Sequence, residues 1–369
     1  MKHTRIAIVG GGLSGLYAAH LLAQQGHDHW VLLEARPSLG GRVLSVPVTA
    51  SNGQSDPLDL GPSWFWPGMQ AQLAQVVHAL GLASLAQHEL GDMVIERSRG
   101  EAPQRMQGLM TSPPSMRLAG GMASLVEALA RPLPSAQVLT GQTVRRIRHT
   151  GAQVELDIES AEGPALTWRA DHVLLALAPR LAVNRIDFDP PLPQALASQW
   201  SDTPTWMAPH AKYVAVYDEP FWRAQGLSGE ARSGIGPMVE IHDASVPGGC
   251  AALFGFLGVP ARVRQGVTQE VLRMHCRAQL TRLFGDRAAS PRAELFKDWA
   301  LDPLTATPAD WDGGGHHPLA PPTTAQSGVW SSCLRGIGSE WSREFAGYVA
   351  GAIDAASLGV QALSQQRPD

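Results

Sequence analysis

Three segments within residues 5–43 predict the fold: RIAIVGGGLSG at 5–15, WVLLEAR at 30–36 and LGGRV at 39–43. The first segment is a short apolar strand followed by Gly10, Gly12 and Gly15, the G-x-G-x-x-G pattern of a strand-to-helix turn that holds a dinucleotide. Side chains at these glycines would keep a pyrophosphate away from the helix N-terminus. Glu34 follows Gly15 by 19 residues, where a carboxylate can accept hydrogen bonds from a ribose hydroxyl. The order of these features predicts a dinucleotide-binding domain.

The residues after Glu34 indicate which dinucleotide is bound. Gly40 and Gly41 allow the backbone to come close to a second phosphate, and the guanidinium of Arg42 can fork onto its oxygens. This arrangement resembles the FAD fingerprint of the flavin amine oxidase and phytoene desaturase group. The alternative is a plain β-turn with a solvated arginine. We predict FAD.

Composition narrows the class of protein. The 369 residues are 44% hydrophobic with a net charge of −4, which is typical of a globular protein with two domains. No basic run favours nucleic acid or an anionic membrane surface. Cys250, Cys276 and Cys333 are too few and too far apart for a disulfide framework, and the pair His316 and His317 is expected in a loop, so no metal site is predicted.

The first strand begins so near residue 1 that we expect no signal peptide, and no apolar run is long enough to span a membrane. A cytoplasmic protein is the expectation.

Hydrophobic periodicity predicts an α/β protein. Helical patterns cover residues 69–88, 124–130, 269–284 and 343–363, and strand patterns cover 137–139, 144–148, 154–158, 166–169, 212–217 and 251–257. Residues 172–178 form an apolar run suited to a buried parallel strand. Residues 98–114 and 302–328 are expected to be loops, and 100–116 is a candidate lid.

Further along the chain, five segments resemble the flavin monoamine oxidase family: LDLGPS at 58–63, AGGM at 119–122, KYVAVYDEPFW at 212–222, Trp299, and GSE at 338–340 followed by Gly347 and Tyr348. The resemblance implies a Rossmann-like FAD-binding domain of the glutathione reductase type, with an interleaved α+β substrate domain on a mixed or antiparallel sheet. We place the first domain at 1–66, 117–200 and 299–369, and the second at 67–116 and 201–298.

The same resemblance assigns roles to individual residues. Lys212 corresponds to the lysine that holds a water near flavin N5 and assists reoxidation, and Tyr348 to one wall of an aromatic cage. Alternatives are a strand-edge lysine that reaches to water and an ordinary buried tyrosine. The predicted catalytic residues are therefore Lys212 and Tyr348, and the predicted FAD-binding residues are Gly10, Gly12, Leu13, Ser14, Gly15, Glu34, Ala35, Arg36, Gly41, Arg42, Gly61, Pro62, Ser63, Trp64, Val144, Trp299, Glu340 and Val349.

The chain departs from the family pattern in three places. Residues 300–310 contain no cysteine, so FAD is expected to be bound without a covalent link. The same stretch has no tyrosine or phenylalanine for the second wall of the cage, and Trp311 is an alternative. The segment between Trp66 and Arg117 is shorter than in the family, which implies a smaller cap over the substrate.

The expected activity is oxidation of a primary or secondary amine to an imine by hydride transfer to flavin N5, with O2 as acceptor and H2O2 as product. In one alternative the protein is still an FAD enzyme, but its substrate is not an amine. It would oxidise a dihydronicotinamide, as proteins resembling renalase do, or desaturate a C–C bond, as desaturases do. Another is a non-catalytic flavoprotein that acts through a partner.

Overall fold

The computed structural model describes residues 2–312 and 319–365, so the predicted loop at His316 and His317 lies outside the described residues. The strands are β1 (Lys2–Val9), β2 (Trp30–Leu33), β3 (Ser45–Thr49), β4 (Ser55–Asp59), β5 (Ser84–Ala86), β6 (Asp92–Glu96), β7 (Gln104–Gln107), β8 (Met116–Leu118), β9 (Val138–Leu139), β10 (Gln142–His149), β11 (Val154–Ser160), β12 (Leu166–Leu175), β13 (Asp187–Asp189), β14 (Ala211–Tyr217), β15 (Leu227–Ser233), β16 (Met238–Asp243), β17 (Ala251–Leu257), β18 (Ala293–Asp298) and β19 (Leu334–Gly336).

The α-helices are α1 (Leu13–Gln24), α2 (Ala71–Ala79), α3 (Ala123–Ala130), α4 (Pro179–Arg185), α5 (Gln194–Asp202), α6 (Phe221–Ala224), α7 (Ala261–Arg264), α8 (Gln269–Phe284), α9 (Trp330–Cys333) and α10 (Val349–Gln365). Short 3₁₀ turns occupy Asp286–Ala289, Trp299–Leu301, Pro308–Asp310 and Ser339–Trp341. Among the described residues, no helix combines the length and the apolar character needed to cross a membrane.

The chain divides into two compact units. The first unit comprises Met1–Val43, Leu125–Met207 and Pro303–Asp369, and the second comprises Leu44–Ser124 and Ala208–Asp302. Each unit has its own sheet and its own buried apolar core.

The first unit is built on an eight-stranded sheet in the order β13-β10-β11-β12-β1-β2-β9, with β19 paired to β12. Its central strands β12, β1, β2 and β9 are parallel, whereas β10, β11 and β12 pair in antiparallel fashion. Strand β2 is fully buried, and so is the C-terminal half of β1. This burial explains why neither strand has polar residues at these positions. The parallel part with α1 is the predicted Rossmann-like element.

The second unit is built on a seven-stranded sheet in the order β18-β14-β17-β16-β15-β6-β7. The pair β15–β6 is parallel and the other neighbours are antiparallel, so the sheet is mixed. Helix α8 packs against one face, and its N-terminus is capped by the Thr268 side chain, which accepts a hydrogen bond from the backbone N–H of Val271. The other face packs against the hairpin β3–β4.

The compact units do not follow the predicted domain boundaries. Residues 44–66 and 117–124 belong to the second unit, because the hairpin β3–β4 buries Leu58 and Leu60 in one cluster with Val214 and Phe254 of the seven-stranded sheet. Residues 201–207 belong to the first unit and 299–302 to the second. The assignment of one unit to the cofactor and the other to the substrate stays a prediction, because the compact units do not show which ligand each one binds.

Several predicted elements have different bounds in the structure. The helical pattern at 69–88 gives only α2, because Gly81 has a φ of +67° and the chain then enters β5. The segments 166–169 and 172–178 contribute to one strand, β12, which ends at Leu175. The expected loop at 98–114 contains β7. The helix predicted from residue 343 begins at Val349, which places Glu340 on a separate 3₁₀ turn.

Candidate functional site

The glycine-rich turn joins β1 to α1 as predicted. Gly10 has a φ of +109°, which favours glycine, and Gly12 is the extended N-cap residue of α1. A Cβ on Gly15 would lie 2.0 Å from the carbonyl oxygen of Gly10, so the helix approaches the strand too closely for any side chain. A Cβ on Gly12 would have no neighbour nearer than 3.9 Å. The turn therefore leaves open space in front of the helix N-terminus, as a bound pyrophosphate requires.

The first two residues of α1, Leu13 and Ser14, are buried behind this turn. Their backbone N–H groups belong to the first turn of the helix and have no intrahelical acceptor, and their contact with FAD stays a prediction.

Glu34 follows directly after β2 and is tied to the turn. Its carboxylate accepts hydrogen bonds from the backbone N–H of Gly11 at 2.6 Å and of Arg36 at 2.7 Å. A carboxylate offers about four lone-pair positions, so acceptor capacity remains for a ribose hydroxyl. Ala35 and Arg36 continue this segment, and the Arg36 guanidinium donates to Thr305 at 3.3 Å.

Strand β10 begins beside Glu34. The backbone N–H of Gln142 donates to the carbonyl of Glu34 at 2.8 Å, and Val144 lies two residues further along. The Val144 side chain is buried in the core, and the pairing with β11 shifts register just after it. Any contact of Val144 with a ligand would therefore involve its backbone.

The second glycine pair packs on the first. Gly40 forms a bridge to Gly12, and a Cβ on Gly41, whose φ is +59°, would lie 3.2 Å from the Gly12 Cα. The next residue, Arg42, projects its guanidinium onto Glu340, with Nη2 at 3.0 Å from Oε2 and at 3.1 Å from the Ser339 hydroxyl.

Arg42 keeps its charge in this setting. Burial acts to lower its pKa, but the fully buried Glu340 carboxylate outweighs burial and raises the pKa above the ordinary value. The Arg42 side chain remains 30% exposed, so the guanidinium is oriented by Glu340 and still accessible to an anion. Ser339 belongs to the GSE motif at 338–340, but the sequence predicted no role for it, because a serine carries no charge signal.

Tyr348 and Val349 mark the start of the C-terminal helix. Val349 is the first residue of α10 and Tyr348 precedes it, so both stand at the positive end of the helix dipole. Gly347 has a φ of +81°, and a Cβ there would lie 2.4 Å from the Cβ of Trp206. Burial raises the pKa of Tyr348. Trp206 is an aromatic neighbour of this turn that the sequence did not identify, since it lies far away in the chain within a segment that has no periodicity.

In the second unit, Lys212 lies on β14 and is 2% exposed. Its Nζ donates to the Ser63 hydroxyl at 2.7 Å and to the carbonyl of Gly61 at 3.2 Å. Nζ also lies 4.0 Å from the centre of the Phe254 ring, a cation–π contact. The alternative of a lysine reaching to water is wrong.

The charge state of Lys212 is set by its surroundings. Burial lowers its pKa from 10.5 to about 7, the Asp59 carboxylate opposes this decrease, and the Arg117 guanidinium adds to it. Near neutral pH the ammonium and the free amine are therefore both populated, which is what a proton-transferring lysine requires. Asp59 belongs to the motif LDLGPS at 58–63, but the sequence predicted no role for it.

The loop after β4 is held from two sides. Trp299 donates its indole N–H to the carbonyl of Leu60 at 3.0 Å, and Lys212 holds Gly61 and Ser63, with Pro62 between them. Lys297 lies 4.5 Å above the Trp299 ring. The structure thus brings Gly61, Pro62, Ser63, Lys212 and Trp299 together within the second unit.

Trp64 extends this cluster with aromatic neighbours. Its indole N–H donates to Gln87 at 2.8 Å, and its ring lies 4.8 Å from His242 and 5.3 Å from Phe254, measured between ring centres. Trp66 instead donates to Ser115 at 2.9 Å. His242 and Phe254 were missed in the sequence, because alternation on a strand does not distinguish a site-facing ring from a core ring.

Within the described residues, no group of His, Cys, Asp or Glu side chains is arranged to hold a metal ion. Cys250, Cys276 and Cys333 are free and buried, as predicted.

Comparison with known proteins identifies the family. Residues 90–363 match the family model described as flavin containing amine oxidoreductase, and residues 8–80 match the NAD(P)-binding Rossmann-like domain. The putative flavin-containing monoamine oxidase AofH of Mycobacterium tuberculosis is 33% identical over 248 residues, which are 64% of this chain and 50% of the relative. The putrescine oxidase of Kocuria rosea is 29% identical over 219 residues, 54% of this chain and 44% of that one.

A third relative, the L-amino acid dehydrogenase of Synechocystis, is 26% identical over 267 residues, 68% of this chain and 52% of its own. The matched region thus spans about half the length of the curated relatives.

Solved structures confirm the predicted fold class. An engineered putrescine oxidase superimposes with a TM-score of 0.82 at 21% identity over 99% of both chains. The cyclohexylamine oxidase of Brevibacterium oxydans gives a TM-score of 0.79 at 20% identity over 98% of this chain and 99% of that chain. At these identities the likeness concerns the fold alone.

Proposed function

This chain belongs to the family of flavin containing amine oxidoreductases, and from that membership we propose that it oxidises a primary or secondary amine to an imine with FAD as cofactor. The observation that carries the proposal is the buried Lys212, whose amine is held on Gly61 and Ser63 and whose pKa is about 7. A buried lysine with a pKa near neutrality is suited to transfer protons, because both of its protonation states are populated.

The residues of the first unit fit FAD. The turn at Gly10–Gly15 leaves space for a pyrophosphate at the N-terminus of α1, Glu34 retains acceptor capacity for a ribose, and Arg42 presents an oriented guanidinium to phosphate oxygens. We propose that FAD is bound without a covalent link. This is supported by the buried cysteines, which lie outside the 300–310 segment.

Bound FAD would supply the redox chemistry by accepting a hydride from the α-carbon of the amine and passing the electrons to an acceptor. The protein would then contribute three things. Tyr348 would orient the neutral amine. The N-terminus of α10 at Val349 would stabilise, through the helix dipole, the negative charge of the reduced flavin ring. Lys212 would hold the proton that the acceptor consumes when O2 becomes H2O2.

A second candidate concerns the electron acceptor. The similarity to an L-amino acid dehydrogenase favours an enzyme that oxidises an amine but delivers the electrons to an acceptor other than oxygen. Exposure of the reduced protein to air separates the two candidates, since only an oxidase regains its yellow colour quickly.

The first test is the visible spectrum of the purified protein under anaerobic conditions, before and after addition of amines. The panel includes putrescine, cyclohexylamine, an aromatic monoamine and L-amino acids. We expect a flavin spectrum that at least one of these amines bleaches. A yellow protein that no amine bleaches would overturn the substrate assignment and favour a dihydronicotinamide, a desaturase substrate or a non-catalytic role.

The role of Lys212 is tested by the variant Lys212→Met. We expect reoxidation of the reduced flavin by oxygen to slow by roughly 100-fold or more, with a much smaller change in flavin reduction by the amine. Stopped-flow absorbance measures the two half-reactions separately. Lys297→Met is the matched control, because Lys297 pairs with Lys212 across the sheet but makes an ion pair with Asp302 at 2.7 Å. Equal slowing of both half-reactions would remove the assigned role.

A further inference from the structure

The interior of the second unit contains a small polar cavity beside Lys212. It has a volume of about 20 Å³, and its polar lining comprises Asp59, Ser63 and Arg117, while most of the remaining lining is apolar. Ser63 belongs to this lining and also accepts the hydrogen bond from Lys212 Nζ at 2.7 Å. Ser63 therefore connects the lysine to the cavity.

The two charged groups of the cavity are fixed in place by their own neighbours. One oxygen of Asp59, Oδ1, accepts from the Ser45 hydroxyl and from the backbone N–H of Met122 at 2.9 Å. Arg117 donates from Nη2 to the carbonyl of Ser245 at 2.7 Å. Both side chains are thus anchored around the cavity.

A cavity of this size accommodates about one water molecule, and a buried water is stable when it has two to four polar partners. Asp59, Ser63 and Arg117 supply such partners. We propose that the cavity holds one ordered water that, together with Ser63, links Lys212 to Asp59 and forms a proton relay between the lysine amine and the carboxylate.

The transfer is balanced within the protein. Starting from the ammonium of Lys212 and the carboxylate of Asp59, an N–H bond of Lys212 breaks and an O–H bond of Asp59 forms, while Ser63 and the water each accept one proton and pass one on. The products are the free amine and the carboxylic acid. No electrons are exchanged and the net charge of the cluster does not change.

The surroundings reduce the free-energy difference between the two charge distributions. Burial raises the pKa of Asp59, and burial lowers the pKa of Lys212 to about 7, so the ion pair and the neutral pair approach one another. Arg117 on β8 is the other charged group that faces both of them.

Within the described part of the chain, the strands on either side of the lysine bring two aromatic rings and a lysine that already has an ion-pair partner. On β17, Lys212 faces the rings of Phe254 and Phe256, and on β18 the neighbouring Lys297 is paired with Asp302. Burial lowers the pKa of Arg117, the Asp243 carboxylate opposes this decrease, and the Arg223 guanidinium adds to it.

The use of this relay in catalysis rests on the proposed function, in which Lys212 supplies the proton for oxygen reduction. Asp59 is then a positioning residue, which acts through Lys212 and stores the proton between turnovers. The existence of the relay is independent of the substrate.

The test follows the titration of Lys212 directly in the FAD-loaded protein. The lysines of the chain are Lys2, Lys212 and Lys297, so protein labelled with ¹³Cε-lysine gives a small set of NMR signals, and Lys212→Met assigns the one of interest. We expect its midpoint near pH 7 in the native protein. In Asp59→Asn the midpoint is expected to fall by about one pH unit or more, because the stabilising negative charge is lost.

Asp56→Asn is the matched control. Asp56 is a buried carboxylate of the same strand, and it accepts from the backbone N–H of Cys250 rather than lining the cavity. Its variant should leave the midpoint of Lys212 unchanged, and equal midpoints in Asp59→Asn and Asp56→Asn would overturn the relay. Asparagine retains the Oδ1 acceptor for Ser45 and Met122, so Asp59→Asn preserves both anchoring hydrogen bonds.

A crystal structure of the unmutated FAD-loaded protein tests the water itself. We expect one ordered water within hydrogen-bonding distance of the Ser63 hydroxyl and the Asp59 carboxylate, and a dry cavity would overturn the proposal. Failure of the proposed function has a different signature. A protein that no amine reduces, but in which Asp59→Asn still shifts the Lys212 titration, would lose the amine assignment and keep the relay.

Discussion

Burying a lysine ammonium costs several kcal/mol of free energy unless partners compensate, and Lys212 illustrates how few partners a functional site provides. It has a hydroxyl, one carbonyl and an aromatic face, with a single carboxylate nearby. These partners hold the side chain in place without restoring its ordinary pKa. The residue therefore keeps a proton that it can release near neutral pH.

The depressed pKa of Lys212 makes the stability of the protein depend on pH. In the unfolded chain Lys212 titrates near 10.5 and in the folded protein near 7, so the unfolded state binds more protons between these values. The destabilisation is complete below pH 7 and disappears as the pH rises through 10.5. Relative to the native protein, Lys212→Met should therefore be most stable near pH 6.5, and this advantage should shrink by roughly 3 to 6 kcal/mol towards pH 10.5.

Urea unfolding of both proteins at a series of pH values measures this difference. Other groups titrate alike in the two proteins, so their contributions cancel. Asp59 is the exception, because the Lys212 charge opposes the increase that burial causes in its pKa. A stability difference that stays constant from pH 6.5 to 10 would show that Lys212 titrates at its ordinary value.

At the scale of elements, the glycine turn and α10 show how backbone geometry prepares a binding surface. Gly15 permits the contact between β1 and α1, and Gly12 keeps the helix N-terminus open. Gly347 permits the turn that places Tyr348 directly before α10. In both cases a helix N-terminus is presented by glycines, and its unpaired N–H groups favour negative charge.

The two glycines of the first turn should respond differently to alanine. Gly12→Ala has room for its methyl group, with the nearest neighbour at 3.9 Å, so the stability of the apoprotein should change by less than about 1 kcal/mol while FAD affinity falls tenfold or more. Gly15→Ala places a methyl group 2.0 Å from the Gly10 oxygen and should destabilise the apoprotein itself.

Thermal unfolding of the apoproteins and FAD titration by fluorescence separate these outcomes. Gly100→Ala is the control, because a Cβ there would meet no atom within 4 Å and the residue lies outside the turn. Normal FAD affinity in Gly12→Ala would mean that no phosphate approaches this turn.

At the scale of the whole molecule, each compact unit has a separate core, and the cysteines are distributed between them. Cys333 lies in the first unit, whereas Cys250 and Cys276 lie in the second. Burial raises the pKa of these thiols to about 11 for Cys250 and Cys333 and to about 12 for Cys276. Few thiolates exist at pH 8, and each is shielded from reagents.

We therefore expect no thiol of the folded protein to react with a disulfide reagent at pH 8 on a timescale on which the denatured protein reacts completely. Labelling at increasing urea, followed by mass spectrometry of the peptides, reports the opening of the first unit through Cys333 and of the second through Cys276. Rapid labelling of either thiol without urea would contradict the buried positions.

Features that depend on local backbone geometry could be predicted from the amino-acid sequence. The tight turn at the glycines 10, 12 and 15 and the strands around it were predicted correctly, because a tight turn and a buried strand restrict the residue types that can form them. FAD binding by these glycines and by Glu34 stays a prediction. The family and the fold class followed from the combination of these motifs. Helix ends were predicted less well, as at residues 80 and 349, since periodicity does not mark a cap.

Which side chains are in contact, and which of them stay charged, follows from the tertiary fold and could not be predicted from the sequence. Arg42 and Glu340 are 298 residues apart in the chain, and Lys212 and Ser63 are 149 apart. No local pattern encodes such pairs, because they arise from the packing of segments brought together by the fold. A pKa near 7 for Lys212 likewise depends on burial and on Asp59 and Arg117, all of which are supplied by distant parts of the chain.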